Sequence, residues 1–175
     1  MTDLGLLKYF LGLEVKQGDG FVFVSQKKYA EDLLSKAGML NCKVEPTPMN
    51  TNEKLRLEDG SGQANAERYR RLVGSLLYLT HTKLDLMFVV SVVSRYMQRP
   101  IVHHLGVVKR ILYHVARTLD HGLLYRNSCK LKLTGFSDSD WGGSLDDRKS
   151  VSSWVFNLGS AVVAWSSKKQ DITAL

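Results

Sequence analysis

The stretch Tyr69-Arg70-Arg71-Leu72-Val73-Gly74-Ser75-Leu76-Leu77-Tyr78-Leu79-Thr80 decides the fold class, because its apolar residues recur with helical spacing. A helix over 67–80 has one apolar face, which is made of Leu72, Val73, Leu76 and Leu79. Two more helices are predicted, one over 84–98 that stops before Pro100 and one over 102–118. The centre of the chain is therefore expected to be helical.

Strand patterns lie on both sides of these helices. Residues 6–24 alternate between apolar and polar side chains around a turn at 17–20, which predicts a β-hairpin. A helix follows, with Ser25 as its predicted N-cap and Gly38 at its end. Later strands are predicted over 123–126, 130–138, 152–157 and 161–166, with a hairpin turn at 158–160.

Residues 39–66 lack periodicity and contain Pro46, Pro48, Gly60 and Gly62, which predicts a long irregular connection. Together these patterns predict an α+β fold. We expect three segments: hairpin, helix and connection over 1–65, three helices over 66–120, and strands over 121–175.

Positive charge is concentrated in the helical part of the chain. Residues 66–128 contain ten Lys and Arg against three acids, a surplus of seven that equals the net charge of the whole chain. Localised positive charge attracts polyanions more strongly than the same charge spread evenly. Nucleic acid is therefore the leading candidate partner, and a merely solvated basic face is the alternative.

The sequence predicts neither a membrane protein nor an exported one. Its longest apolar stretch, 84–93, is shorter than the ~20 residues of a membrane span and contains Asp85. Residues 1–5 include an acid where a secretory signal has basic residues, so an intracellular location without a membrane partner is expected. Cys42 and Cys129 lack metal-ligand spacing and are expected to be reduced thiols.

Two groups of basic residues are candidates for contact with a phosphate backbone. The spacing of His103, Arg110, His114 and Arg117 predicts that they line one helix face, with Lys109 beside them. A solvated helix face is the alternative. Arg68, Arg70 and Arg71 fall in the first turns of a helix, where cations oppose the helix dipole and so suggest an external anion.

One acidic motif is a candidate metal site. In the strand ending Gly135-Phe136-Ser137-Asp138-Ser139-Asp140-Trp141, the period of two directs Asp138 and Asp140 to one face, where they could share Mg²⁺. The alternative is that both, together with Asp146 and Asp147, are solvated loop acids. The sequence contains no Gly-rich phosphate loop, no Gly-x-Ser-x-Gly elbow and no zinc spacing.

The ordered series of local sequences resembles the copia-type retrotransposon Pol polyprotein, from the end of its reverse transcriptase into its ribonuclease H. The segments that carry the resemblance are 3–15, 25–30, 69–80, 92–97, 109–112, 138–143, 146–150 and 165–170. One departure is Thr82-Lys83-Leu84-Asp85, where the family usually has Thr-Arg-Pro-Asp.

The resemblance implies a role for each segment. The hairpin resembles the primer grip, with Phe10, Leu11 and Gly12 near its tip, and the three helices resemble the thumb and connection that hold the template–primer duplex. From about residue 131 the chain resembles the first strands of a ribonuclease H fold. Asp138 then matches the first of the carboxylates that hold Mg²⁺ in the parent enzyme, with Asp140 a weaker candidate.

The family's next catalytic acid, a Glu, is expected beyond Leu175, so neither active site is expected to be complete. The chain alone is expected to be inactive and to bind no Mg²⁺ tightly. Its expected partners are an RNA–DNA hybrid or template–primer duplex and the remainder of the polyprotein. Two alternatives stay open: part of a longer active polyprotein, or a non-enzymatic binding protein recruited from a retroelement.

Overall fold

Helices in the middle of the chain separate strands at its two ends in the computed structural model, which describes residues 5–127 and 130–173. Cys129 lies outside the described residues. The strands are β1 Tyr9–Phe10, β2 Leu13–Gly18, β3 Phe21–Ser25, β4 Gly122–Arg126, β5 Leu133–Ser139, β6 Val151–Leu158 and β7 Ala161–Lys169. The α-helices are α1 Lys27–Ala37, α2 Ala66–Leu79, α3 Met87–Ser94 and α4 Val102–Arg117. The predicted α+β class is confirmed.

The helices form the core because each has an apolar face. The fully buried side chains include Leu34 of α1, Leu76 of α2, Val90 of α3 and Ile111 of α4. Replacing a buried Leu or Ile of this kind by Ala typically costs about 2–5 kcal/mol of stability. Tyr69 is also fully buried, and its hydroxyl donates to the carbonyl oxygen of Val93 at 2.7 Å.

The first sheet has the antiparallel order β1-β2-β3-β4. Strand β4, which the sequence grouped with the C-terminal strands, pairs along the whole of β3, from Phe21 opposite Arg126 to Ser25 opposite Gly122. A Cβ atom at Gly122 would lie 2.4 Å from the carbonyl oxygen of Val24, so this close approach requires glycine. In chain order, helices α1 to α4 therefore lie between the third and fourth strands of this sheet.

The second sheet has the antiparallel order β5-β6-β7. Its register sets Asp138 opposite Ser153 and Ser139 opposite Ser152. Long-range hydrogen bonds from tyrosine and tryptophan side chains help to join this sheet and the loop between β5 and β6 to the rest of the chain. They are Trp165 Nε1 to the Thr80 carbonyl at 3.0 Å, Tyr125 Oη to the Val162 carbonyl at 3.0 Å, and Tyr96 Oη to Asp146 Oδ2 at 3.2 Å.

Two predicted helix boundaries were wrong. The helix predicted over 84–98 is a 3₁₀ turn, Leu84–Leu86, followed by the shorter α3, because the amides of Arg95 and Tyr96 bond three residues back, to Val92 and Val93. Ser25 belongs to β3, and the N-cap of α1 is Gln26. The Glu14 carboxylate of β2 accepts the Lys28 amide at 2.7 Å, so an acid from a neighbouring strand satisfies this helix end.

The long connection is irregular between α1 and α2, as predicted, and ends at Asn65, whose side chain accepts the Arg68 amide at 2.8 Å. Gly38 ends α1 in the left-handed conformation, also as predicted. Across residues 5–127 and 130–173, no helix has both the length and the apolar character needed to cross a membrane.

Candidate nucleic-acid interface

The tip of the first hairpin is exposed and apolar. Phe10 pairs with Leu13, which leaves Leu11 and Gly12 as a two-residue turn. Both turn residues have positive φ, 47° at Leu11 and 77° at Gly12. The side chains of Phe10 and Leu11 are 54% and 73% exposed, so the predicted tip residues are available to a ligand.

Helix α2 contacts this tip through one side chain. The hydroxyl of Tyr78 donates to the carbonyl oxygen of Leu11. A Cβ atom at Gly12 would lie 2.6 Å from the same hydroxyl oxygen. The tip is therefore seated directly on the C-terminal part of α2.

A cationic cleft of about 500 Å³ lies between α1 and α2. Its basic residues are Lys36, Arg68 and Arg71. Leu33 and Leu72 contribute apolar walls, and the lining that the structure describes contains no acid. Three cations in a lining whose described residues include no acid favour an anionic ligand.

Arg70 is exposed like Arg68 and Arg71 but does not line this cleft. Its Nη1 atom donates to the Met97 carbonyl oxygen at 3.3 Å. The three arginines predicted as one group therefore separate into two that share the cleft and one that contacts the segment after α3.

The predicted basic face of α4 is partly neutralised by the long connection. Arg110 is half-buried, with Nη2 3.4 Å from Glu45 Oε2 and 3.0 Å from Thr47 Oγ1. His103 lies between two carboxylates, with Nε2 3.0 Å from Glu53 and Nδ1 2.7 Å from Asp59. Lys109 and Arg117 are exposed.

The prediction that His114 lines an exposed face was wrong. Its side chain is 7% exposed, and Nε2 lies 2.7 Å from Asp85 Oδ2. The reason is its position on the apolar stripe, one turn after Ile111 and two turns after Val107, which the spacing to Arg110 and Arg117 obscured. Burial acts to raise the pKa of Asp85, but the hydrogen bond with His114 and the positive charges of His114 and Lys83 together lower that pKa.

Lys83 is a buried cation that sequence reasoning missed. It is 2% exposed, and Nζ donates to the carbonyl and hydroxyl oxygens of Thr118 just past the end of α4. A cation at that end complements the helix dipole. Burial lowers the pKa of Lys83, although Asp85 nearby opposes this shift. In the sequence, the local sign that Lys83 could be buried was its place two residues before Asp85, in a short stretch between two apolar helices.

The four acids around the start of the second sheet have different partners. Asp138 is exposed, and its Oδ1 accepts the Ser139 amide at 2.8 Å. Asp140 accepts the Val151 amide, which ties the end of β5 to the start of β6. Asp138 lines a cavity with Phe136 and Trp165, whereas Asp140 lines another with Arg95 and Tyr96.

Asp146 and Asp147 serve as structural anchors. Asp146 accepts the Leu57 amide at 3.0 Å and the Tyr96 hydroxyl. Asp147 lies 2.5 Å from Lys169 Nζ; although burial opposes it, hydrogen bonds from Lys169 and Ser144 lower the pKa of Asp147 to about 2. In the described part of the chain, no three His, Cys, Asp or Glu side chains are grouped to hold a metal.

Comparisons with known proteins relate this chain to mobile elements. The retrovirus-related Pol polyprotein from transposon RE2 of Arabidopsis thaliana is 41% identical over 94% of this chain, which spans 11% of that protein. The corresponding protein from transposon TNT 1-94 of Nicotiana tabacum is 32% identical over 100% of this chain and 14% of its own length. No family model and no solved structure matches.

A shorter relative is matched over most of its length. The uncharacterized mitochondrial protein AtMg00810 of Arabidopsis thaliana is 38% identical over 97% of this chain and 70% of that protein. These relatives confirm the resemblance found in the sequence. The chain belongs to the copia-type retrotransposon Pol polyprotein family, of which it matches one segment.

Proposed function

We propose that this chain is the last part of a copia-type reverse transcriptase joined to the first strands of a ribonuclease H-like domain. Its role in this proposal is to hold a template–primer duplex or an RNA–DNA hybrid. The observation that carries the proposal is that α2 supports both an exposed apolar tip and a cationic cleft. Apolar contacts suit a primer end, and cations that line a cleft without acids among its described residues suit phosphates.

The length of α2 agrees with such an interface. Arg68 and Tyr78 are ten residues apart on one helix, which corresponds to about 15 Å of helix axis. Double-stranded nucleic acid carries a charge about every 1.7 Å of its axis, so about nine phosphate charges lie within that distance. A duplex lying along α2 therefore meets both the cleft and the tip.

The local carboxylates do not fit a two-metal hydrolytic site. Asp138 brings one exposed carboxylate, and that of Asp140 is engaged by the Val151 amide. Two divalent ions about 4 Å apart require several converging acids. In this proposal the chain binds without catalysing, and Asp138 contributes to Mg²⁺ binding only when other carboxylates of the polyprotein join it.

The remainder of a Pol polyprotein is the proposed protein partner. On one face of the second sheet, the register aligns Leu133 with Leu158, and Trp154 contacts Phe156 at 5.4 Å between ring centroids. All four side chains are more than a third exposed. This exposed apolar face supports the proposal that further polyprotein segments cover it.

A salt titration tests the proposed binding. The purified chain is mixed with a fluorescent RNA–DNA hybrid, and anisotropy gives the dissociation constant at several salt concentrations. Phosphate contacts predict a linear fall of log affinity with log salt, with a slope of about −0.9 per contact. Affinity that does not change with salt, or no binding at low salt, would contradict the proposal.

A further inference from the structure

We propose that Tyr78 is a positioning residue that holds the hairpin tip, Phe10 to Gly12, in the conformation that meets nucleic acid. This inference rests on the proposed function for its consequence, but its structural part is independent of it. Three observations support it: an unfavourable turn sequence, a hydrogen bond to that turn from a distant helix, and the firm seating of the tyrosine itself.

The turn needs external support because its first residue is unsuited to its conformation. Two-residue hairpin turns with positive φ at both positions favour Asn-Gly or Asp-Gly. Here the first position is Leu11, with φ 47°. Residues other than Gly, Asn and Asp rarely adopt this region, and such strain persists where surrounding contacts impose it.

Tyr78 supplies those contacts. Its hydroxyl donates to the Leu11 carbonyl oxygen across 67 positions of sequence. A Cβ atom at Gly12 would lie 2.6 Å from the hydroxyl oxygen and 3.2 Å from the nearer ring carbon. The phenol ring therefore occupies the space beside Gly12 and bonds to the strained residue before it.

The tyrosine is itself held by three other side chains. Its ring meets Tyr29 of α1 edge-on, with centroids 4.8 Å apart, and lies 5.4 Å from the His81 ring. Its carbonyl oxygen accepts from the buried Gln26 side chain at 3.0 Å. Movement of the tip is thus restrained by the helical core and not by the hairpin alone.

The consequence is a preformed contact surface. A tip that is ordered before binding avoids the entropy cost of ordering it in the complex. Loss of the Tyr78 hydroxyl is therefore expected to loosen the tip and, through it, to weaken binding of the primer end.

The test is the Tyr78→Phe variant of the full chain, which keeps the ring and removes the donor. Hydrogen exchange by NMR over residues 10–14 is expected to accelerate roughly threefold to tenfold, as for one net hydrogen bond. Affinity for a template–primer duplex is expected to fall by a similar factor. Tyr113→Phe on α4 is the matched control and is expected to change neither quantity.

Leu11→Asn is a second variant, which also serves if Tyr78→Phe folds poorly. Leu11→Asn relieves the strain, since Asn tolerates positive φ, and is expected to restore slow exchange at the tip when combined with Tyr78→Phe. Unchanged exchange in Tyr78→Phe, or failure of Leu11→Asn to restore slow exchange or folding, would overturn the positioning role. Faster exchange with unchanged duplex affinity would support that role and contradict the proposed contact between tip and primer.

Discussion

His114 Nε2 lies 2.7 Å from Asp85 Oδ2, and this pair joins the last turn of α4 to the 3₁₀ turn before α3. The carboxylate is two residues from the buried Lys83, so the pair belongs to a polar cluster at the junction of three helices. Because the folded state lowers the pKa of Asp85, its contribution to stability is present above the ordinary carboxyl pKa and is lost as pH falls through the lowered value.

His114→Ala is expected to destabilise the chain without weakening nucleic-acid binding. Removing the imidazole leaves Asp85 without its partner, which is expected to cost about 1–3 kcal/mol in urea unfolding. Arg117→Ala is the matched comparison: it removes an exposed cation, so stability is expected to stay within about 0.5 kcal/mol while the salt slope falls by about 0.9. Equal losses of affinity in the two variants, at equal folded fraction, would assign His114 a direct contact.

Arg68→Ala combined with Arg71→Ala is expected to weaken duplex binding by removing two of the three cations in the α1–α2 cleft. The salt slope is expected to become shallower by about 1.8, for two lost phosphate contacts. Arg70→Ala is a close control, because the same residue type on the same helix contacts Met97 instead of the cleft. A similar effect from Arg70→Ala would show that net charge, not the cleft, governs affinity.

Stability is expected to fall as pH rises from neutral, because of His103. The hydrogen bond to Glu53 raises its pKa; burial opposes this shift and Asp59 adds to it. Because the pKa of His103 is raised in the folded state, protonated His103 stabilises the fold fully below about pH 6.5. This stabilisation is lost as pH rises through the raised pKa.

The measurement is the urea midpoint of the chain and of His103→Gln across this pH range. The variant is expected to be less stable at low pH and to approach the parent at high pH. Parallel pH profiles for the two proteins would exclude His103 as the group responsible.

Asp146→Ala is expected to loosen the attachment of the second sheet. The carboxylate accepts both the Leu57 amide and the Tyr96 hydroxyl, so its loss is expected to cost about 1–3 kcal/mol and to speed exchange of the Leu57 amide. Asp138→Ala is the control, since that exposed side chain accepts only its neighbour's amide among the described contacts, and it is expected to be nearly neutral. Equal destabilisation by both changes would contradict the anchoring role.

The sequence by itself determined the local elements and the family. The helical spacing around Leu72 and Leu76 predicted α2 to within a residue at each end. This was possible because the residues of a few consecutive turns are enough to identify the apolar face of a helix. Gly38 marked the end of α1 for the same local reason. The concentration of cations over 66–128 is likewise a property of composition and needs no coordinates.

Only the tertiary structure decided which of those cations are engaged by other parts of the chain. Arg110 is paired with Glu45, and Lys83 is buried against Thr118, in each case through a contact that spans more than thirty residues. The pairing of β4 with β3 and the contact of Tyr78 with Leu11 are also long-range. Such contacts depend on how distant segments pack, since periodicity specifies the buried face of an element but not the partner that covers it.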